Sequence, residues 1–371
     1  MLYPKNQEKT LSKELFKNPT SEYRGTPFWA WNGKMSKEEL LRQIHVFKKM
    51  GLGGFHMHVR TGMDTPYLND EFMDFVKFCV DVAEKEEMLA WLYDEDRWPS
   101  GTAGGRVTAG KPENARKPLM LTVNPYTEDR PYQNHEPQPG RGQESQRQDN
   151  GELLAIYDIV LDEKGCLKSA NRISEGEEAK GIKWYAYMEH ATADPWFNNQ
   201  AYVDTLRPEA IQEFIQETHE KYKEGVGEYF GGIVPAIFTD EPQFAPKDTL
   251  SFAREVKDVF LPWTQKLPEL YEEQYHGDLL DIVPQLLWEL PDGQLSKARW
   301  NYQNLLTDLF VASYCHQIGQ WCKENNLSLT GHVMGEPTLD SQTQVVGDAM
   351  RCYPDFGIPG IDMLCDFHEY T

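Results

Sequence analysis

The chain has 371 residues, with 59 Asp plus Glu against 37 Lys plus Arg, a formal net charge of −22 at pH 7. A composition that is 40% hydrophobic and 12% aromatic excludes a disordered chain, and the length suits one large domain or two ordinary ones. The acidic balance excludes nucleic acid and anionic membrane surfaces as partners, and no run of about 18 apolar residues is present to span a bilayer.

The N-terminus carries charges where a secretory leader needs an uninterrupted apolar stretch. The six cysteines are scattered, with no C-x-x-C pair, and are expected to be free thiols. Both features point to the cytoplasm. After a polar, irregular lead-in over 1–24, PFWAWN (27–32) is a short apolar run that ends on a polar residue. Ser36-Lys37-Glu38-Glu39 follows as a capping box, in which Ser36 accepts the Glu39 N–H and Glu39 reaches back. Leu40, Leu41, Ile44, Phe47 and Met50 recur at three- and four-residue intervals, predicting a helix with one apolar face, stopped by Gly51. GGFHMHVR (53–60) then reads as a second strand, parallel to the first.

The unit repeats. A helix over roughly 70–87 leads into MLAWLYDED (88–96), and a helix opened by Pro208 leads into IVPAIFTDE (233–241). A helix over roughly 298–325 leads into LSLTGHVMGE (327–336), and GIDMLCD (360–366) reads as a last buried strand. Two segments break the alternation. Residues 117–190 carry β-like runs without a helix, which predicts a β-rich insertion after strand 3. Within it, 128–150 has no aliphatic side chain and reads as a disordered loop. Residues 242–297 read as a helical, Pro-interrupted elaboration of a strand-to-helix loop, leaving 25–116 and 191–371 for the main domain.

The apolar runs finish on polar or ionisable residues: Asn32, then His56, His58 and Arg60, then Asp94, Glu95 and Asp96. Asp240 and Glu241, His332 and Glu336, and Asp362 and Asp366 continue the series. Charges at every carboxyl end predict a (β/α)8 TIM-type barrel, whose strand ends all point into one mouth. An open doubly wound sheet would use a single crevice.

A mouth of carboxylates, imidazoles and indoles suits glycoside hydrolysis, which needs one carboxylic acid and one opposing carboxylate. Glu241 is the expected acid, because strand-end burial and the neighbouring Asp240 both raise its pKa. Glu336, ending another strand, is the opposing carboxylate. Asp94 and Asp96 share one side of their strand and Glu95 takes the other. Trp29, Trp31, Trp91 and Trp98 are candidate sugar platforms. Each residue also has a plainer reading: a strand-end Asp-Glu can cap a helix, Trp29 and Trp31 can be core, and His56 and His58 can bond carboxylates. The rival chemistry is a metal-dependent hydrolase on His56-x-His58 with His332, which the H-x-H on strand 2 and the missing strand-4 lysine argue against.

PFWAWNGKMSKEELLRQI, MGLGGFHMHVRTG, YDEDRWPSGTAGG, FTDEP, GHVMGE, GDAMRCY and IPGID together resemble the catalytic barrel of proteins related to glycoside hydrolase family 106, from about residue 25 to 366. That family is associated with α-L-rhamnosidase activity. The resemblance implies an inverting hydrolase with two glutamates as acid and base, here Glu241 and Glu336, and a calcium ion near the sugar. It implies a carbohydrate substrate contacted by the strand-end residues named above. The family's barrel continues with two further strand–helix units, whereas only six strands are counted here. The expectation is therefore a barrel lacking its last two units, with a non-hydrolytic carbohydrate-binding barrel as the alternative.

Overall fold

The computed structural model describes residues 9–126 and 145–363. Most of the segment read as a disordered loop lies outside the described residues, as does the end of the strand expected at 360–366. Eleven strands are formed among the described residues. They are β1 (Phe28–Trp31), β2 (Gly54–Val59), β3 (Leu89–Tyr93), β4 (Leu119–Thr122), β5 (Glu152–Leu161) and β6 (Leu167–Arg172). They continue with β7 (Ile182–Met188), β8 (Ala236–Asp240), β9 (Val259–Leu261), β10 (Ser328–His332) and β11 (Ile358–Pro359).

Six of these make a parallel sheet in the order β1-β2-β3-β8-β10-β11. This is not a (β/α)8 barrel: the sheet is open, with β1 and β11 at its edges. The last strand is two residues long, and its second residue, Pro359, has no N–H to offer a ladder. The Gly360 N–H still bonds the Gly331 carbonyl at 2.8 Å, but residues 361–363 form no strand, so the one expected there is replaced by a stub just before it. Carboxyl-end charges are common to open and closed parallel sheets, and that pattern cannot register closure.

The open sheet is nevertheless strongly rolled. At about 4.8 Å per strand, β1 and β8 would stand roughly 14 Å apart in a flat sheet. Phe28 on β1 instead meets Phe238 on β8 with ring centroids 4.9 Å apart. Gly331 sharpens the approach of β10 to β8: a Cβ there would come within 1.9 Å of the Thr239 carbonyl, and its φ is +121°. The trough so formed carries His56, His58, Tyr93, Phe238, Asp240 and His332 toward one end.

The helices cover the outer face. Lys37–Lys49 begins where Ser36 accepts the Glu39 N–H, but only half of the expected capping box forms. Glu39 turns instead to Arg42 and Gln43 one turn on. Asp70–Lys85 follows, capped by Asn69 and burying Phe72, Phe75, Val76 and Cys79. Two longer helices each contain a π-helical turn, Ile215–His219 and Val311–His316, that no sequence pattern signals. The five described cysteines are free.

The β-like runs of 117–190 form β4, β5, β6 and β7, which join β9 in a five-stranded antiparallel sheet ordered β6-β5-β7-β4-β9. β9 comes from the second elaboration and pairs with β4, Leu119 opposite Leu261. A three-residue strand carries too little periodicity to be read from sequence. The lead-in, expected to be irregular, contains a short helix, Lys13–Lys17, capped by Ser12. No described helix is long and apolar enough to cross a membrane.

His219 lies in the first π-helical turn, fully buried, between the rings of Phe214 and Trp321 at 5.4 and 5.3 Å. Neither ring nitrogen has a hydrogen-bond partner. Burial pushes the imidazole down to about 3, so it is neutral in the native state. The unfolded chain takes up a proton below about pH 6.5 and the folded chain does not, so this residue removes stability as pH falls from about 6.5 toward 3. Relative to pH 7.5, His219 should cost about 2 kcal/mol at pH 5. Urea denaturation at both pH values should therefore show a smaller acid loss in His219→Phe than in the wild type.

Candidate active site

β8 ends on Asp240, and the chain turns at Glu241 with φ +47°, a left-handed conformation unusual for a residue with a side chain. Asp240 is buried. Its Oδ2 accepts the Tyr93 hydroxyl at 2.8 Å and stands 3.8 Å from His58 Nε2, and its Oδ1 stands 3.7 Å from His332 Nε2. Three strands, β2, β3 and β10, thus converge on one carboxylate. Burial pushes Asp240 up, and the His332 imidazole opposes that. Burial, then the charges of Arg60 and His56, push His58 down to about 3.

Glu241 is half-buried, and the Trp98 indole N–H donates to its Oε2. Burial first, and the Asp240 charge second, push its carboxyl up to about 7, against the Trp98 bond. Glu336 differs in its donors. It accepts the Tyr353 hydroxyl on Oε1 and the Asp362 backbone N–H at 2.8 Å on Oε2. His332 Nδ1 lies 3.8 Å from that same oxygen, so the imidazole stands between Asp240 and Glu336.

One ligand atom from each of Glu241, His332 and Asp362 can be drawn within 4.8 Å of the others. Calcium takes six to eight oxygens, commonly from several carboxylates and carbonyls. Two carboxylates and an imidazole do not fit it. His56 does not join the cluster: its Nδ1 meets the Thr26 carbonyl at 3.0 Å and its ring stacks on Trp91 at 4.8 Å. The His56, His58 and His332 metal site of the rival reading is therefore not assembled among the described residues.

Several expected substrate contacts lie elsewhere. Trp29 and Trp31 belong to the outer-face core, packed edge-to-face at 5.7 Å and against Phe55 and Phe72. Strand alternation puts Phe28 and Ala30 on the trough side instead, and Phe28 is 51% exposed there. Asp94 is completely buried. Asp96 accepts from Asn198 at 2.9 Å and pairs with Arg97 at 3.3 Å, tying the loop after β3 to the 195–200 turn. Asn32 is exposed just past β1. Sequence reasoning passed over Tyr93, Ser100, Tyr353 and Trp196, whose indole N–H donates to the Trp98 carbonyl at 2.6 Å. Alternation from Trp91 would have turned Tyr93 into the trough, whereas nothing local marks the others.

Glu95 has a structural task. It is fully buried, and its Oε2 accepts the N–H groups of Gly101, Thr102 and Ala103 at 2.6–3.0 Å. Its Oε1 accepts those of Asp96 and Gly104 at 2.9 and 2.6 Å. The loop it gathers uses left-handed glycines at 101, 104 and 105, and it carries Trp98 to Glu241.

The fold and the cluster define an α/β protein with ionisable residues at the carboxyl end of a rolled parallel sheet, apt for acid–base chemistry. The sequence matches no family profile and no curated protein. Its fold is similar to that of the rhamnosidase from Novosphingobium sp. PP1Y, at TM-score 0.56 and 13% identity over 92% of this chain. The chain spans about half the length of that protein, 48% of it.

In Glu95→Gln, an amide N–H must face backbone N–H groups on one side. Leaving buried donors unpaired costs about 1–3 kcal/mol each, and at least two are affected, so the variant should lose at least about 2 kcal/mol. A thermal melt and near-ultraviolet circular dichroism of the Trp98 region should register both the loss and a loosened loop.

Proposed function

We propose that the chain is a glycoside hydrolase that removes a terminal deoxy-sugar, α-L-rhamnose, from glycans, with Glu241 as general acid and Glu336 as general base. The observation that carries this reading is the unequal setting of the two carboxylates. Glu241 is held up to about 7 and receives one indole N–H, so it keeps a proton to deliver near neutral pH. Glu336 accepts two donors, a phenol and a backbone N–H, which fix the orientation of its carboxyl for a base that activates water.

Protonation of the leaving oxygen by Glu241 and attack of a water deprotonated by Glu336 on the opposite face would invert the anomeric centre. Asp240, His58 and His332 would bind and orient the sugar hydroxyls, with Trp98 as an apolar wall beside the acid. The fold likeness to a rhamnosidase and the motifs related to glycoside hydrolase family 106 support the substrate class. No calcium ion is invoked, because the Glu241, His332 and Asp362 set does not suit one.

Glu241→Gln and Glu336→Gln should each lower hydrolysis of a 4-methylphenyl α-L-rhamnoside by about 10²–10⁴-fold. With 2,4-dinitrophenol as leaving group, Glu241→Gln should recover most of its rate and Glu336→Gln should not. The wild-type rate should fall on the alkaline side with a midpoint near the Glu241 value of about 7. Wild-type levels in both variants would sink the assignment. Saturable rhamnose binding in calorimetry without turnover would point to a carbohydrate-binding protein.

A further inference from the structure

We infer that Asp94 and Ser100 are positioning residues: a buried carboxyl aims one hydroxyl, and that hydroxyl holds the backbone from which Glu241 projects. Asp94 follows β3 and is wholly inaccessible, so it cannot touch a sugar. Its Oδ1 accepts the Ser100 Oγ–H at 2.6 Å. Ser100 Oγ in turn accepts the Asp240 N–H at 2.8 Å, and the Ser100 N–H donates to the Asp240 carbonyl at 2.8 Å. Residue 240 is thus clasped on both its backbone groups by one serine. The second anchor is β10, where the His332 carbonyl accepts the Glu241 N–H at 3.0 Å.

The logic lies in the hydroxyl's single proton. A serine donates one hydrogen and accepts on two lone pairs. With Asp94 taking the proton, the lone pairs of Ser100 face the Asp240 amide. Without Asp94 the hydroxyl is free to rotate its hydrogen toward that amide, and the clasp opens on one side. Glu241 stands in a left-handed conformation that persists only where its neighbours are held. Loosening residue 240 therefore moves the acid that the glycosidase reading requires.

The inference rests on that reading for its kinetic readout, and an independent structural readout separates the two. Asp94→Ala and Ser100→Ala should lower kcat on an aryl α-L-rhamnoside by about 10- to 100-fold while KM stays within about twofold. Asp94→Asn, which keeps an oxygen acceptor and no charge, should recover to within about threefold of wild type. Amide hydrogen exchange across 236–241 should quicken in the two alanine variants and not in Asp94→Asn. An Asp94→Asn variant as slow as Asp94→Ala, or a raised KM with unchanged kcat, would overturn the positioning role. If the wild type hydrolyses no glycoside, the glycosidase reading fails and exchange decides alone, with unchanged protection in the alanine variants counting against the clasp. Should Asp94→Ala not fold, Ser100→Ala carries the same test.

Discussion

Asp240 is the carboxylate around which the mouth is arranged. Its side chain faces Tyr93, His58 and His332 from three other strands, and its backbone is clasped by Ser100. Such convergence requires the sheet to roll, because β2 and β8 are two steps apart and a flat sheet would hold them roughly 10 Å from each other. The rolling has local causes: Gly331 leaves no Cβ to separate β10 from β8, and the aromatic rings of the trough close over one another. A buried carboxylate with one hydroxyl donor and two imidazoles near it is costly unless it is held in place. The Ser100 clasp and the hydrogen bond from Tyr93 do that holding.

Much of the strand layout was legible in the sequence. The first five parallel strands fall close to their expected positions because they are apolar runs bounded by helix stops and polar ends. The sixth failed at Pro359, since the apolar run after it looked like a strand and the residues before it did not. The barrel expectation failed for a different reason. Strand ends report where a parallel sheet binds, and closure depends on pairing between the first and last strands, which no local pattern encodes.

The candidate residues divide in the same way. Alternation alone places Trp29 and Trp31 on one face and Phe28 on the other, but it does not say which face is covered by helices. The Phe47 and Phe72 faces of two separate helices decide that, by packing against Trp29 and Trp31. Alternation likewise separates Glu95 from Asp94 and Asp96. What Glu95 does with its position depends on a nine-residue excursion through left-handed glycines, which brings five N–H groups back to it. Side chains whose partners are backbone groups across a loop leave little trace in spacing. This is why a strand-end acid that resembled a substrate contact is a loop clasp.

Two glutamates at the ends of neighbouring strands differ only as far as their surroundings do. Burial, then the Asp240 charge, raises Glu241. Donors separate them: Glu336 has a phenol and a peptide N–H, while Glu241 has one indole and a neighbouring carboxylate that opposes its ionisation. Those donors come from distant parts of the chain, Trp98 from the loop after β3 and Tyr353 from the segment before β11. Glu95 gathers the β3 loop that carries Trp98 to Glu241, and the segment after Tyr353 pairs with β10, where the Gly360 N–H donates to the Gly331 carbonyl at 2.8 Å. The different donor sets of Glu241 and Glu336 are therefore a property of two loops, and the surroundings of each carboxyl are set from distant parts of the chain.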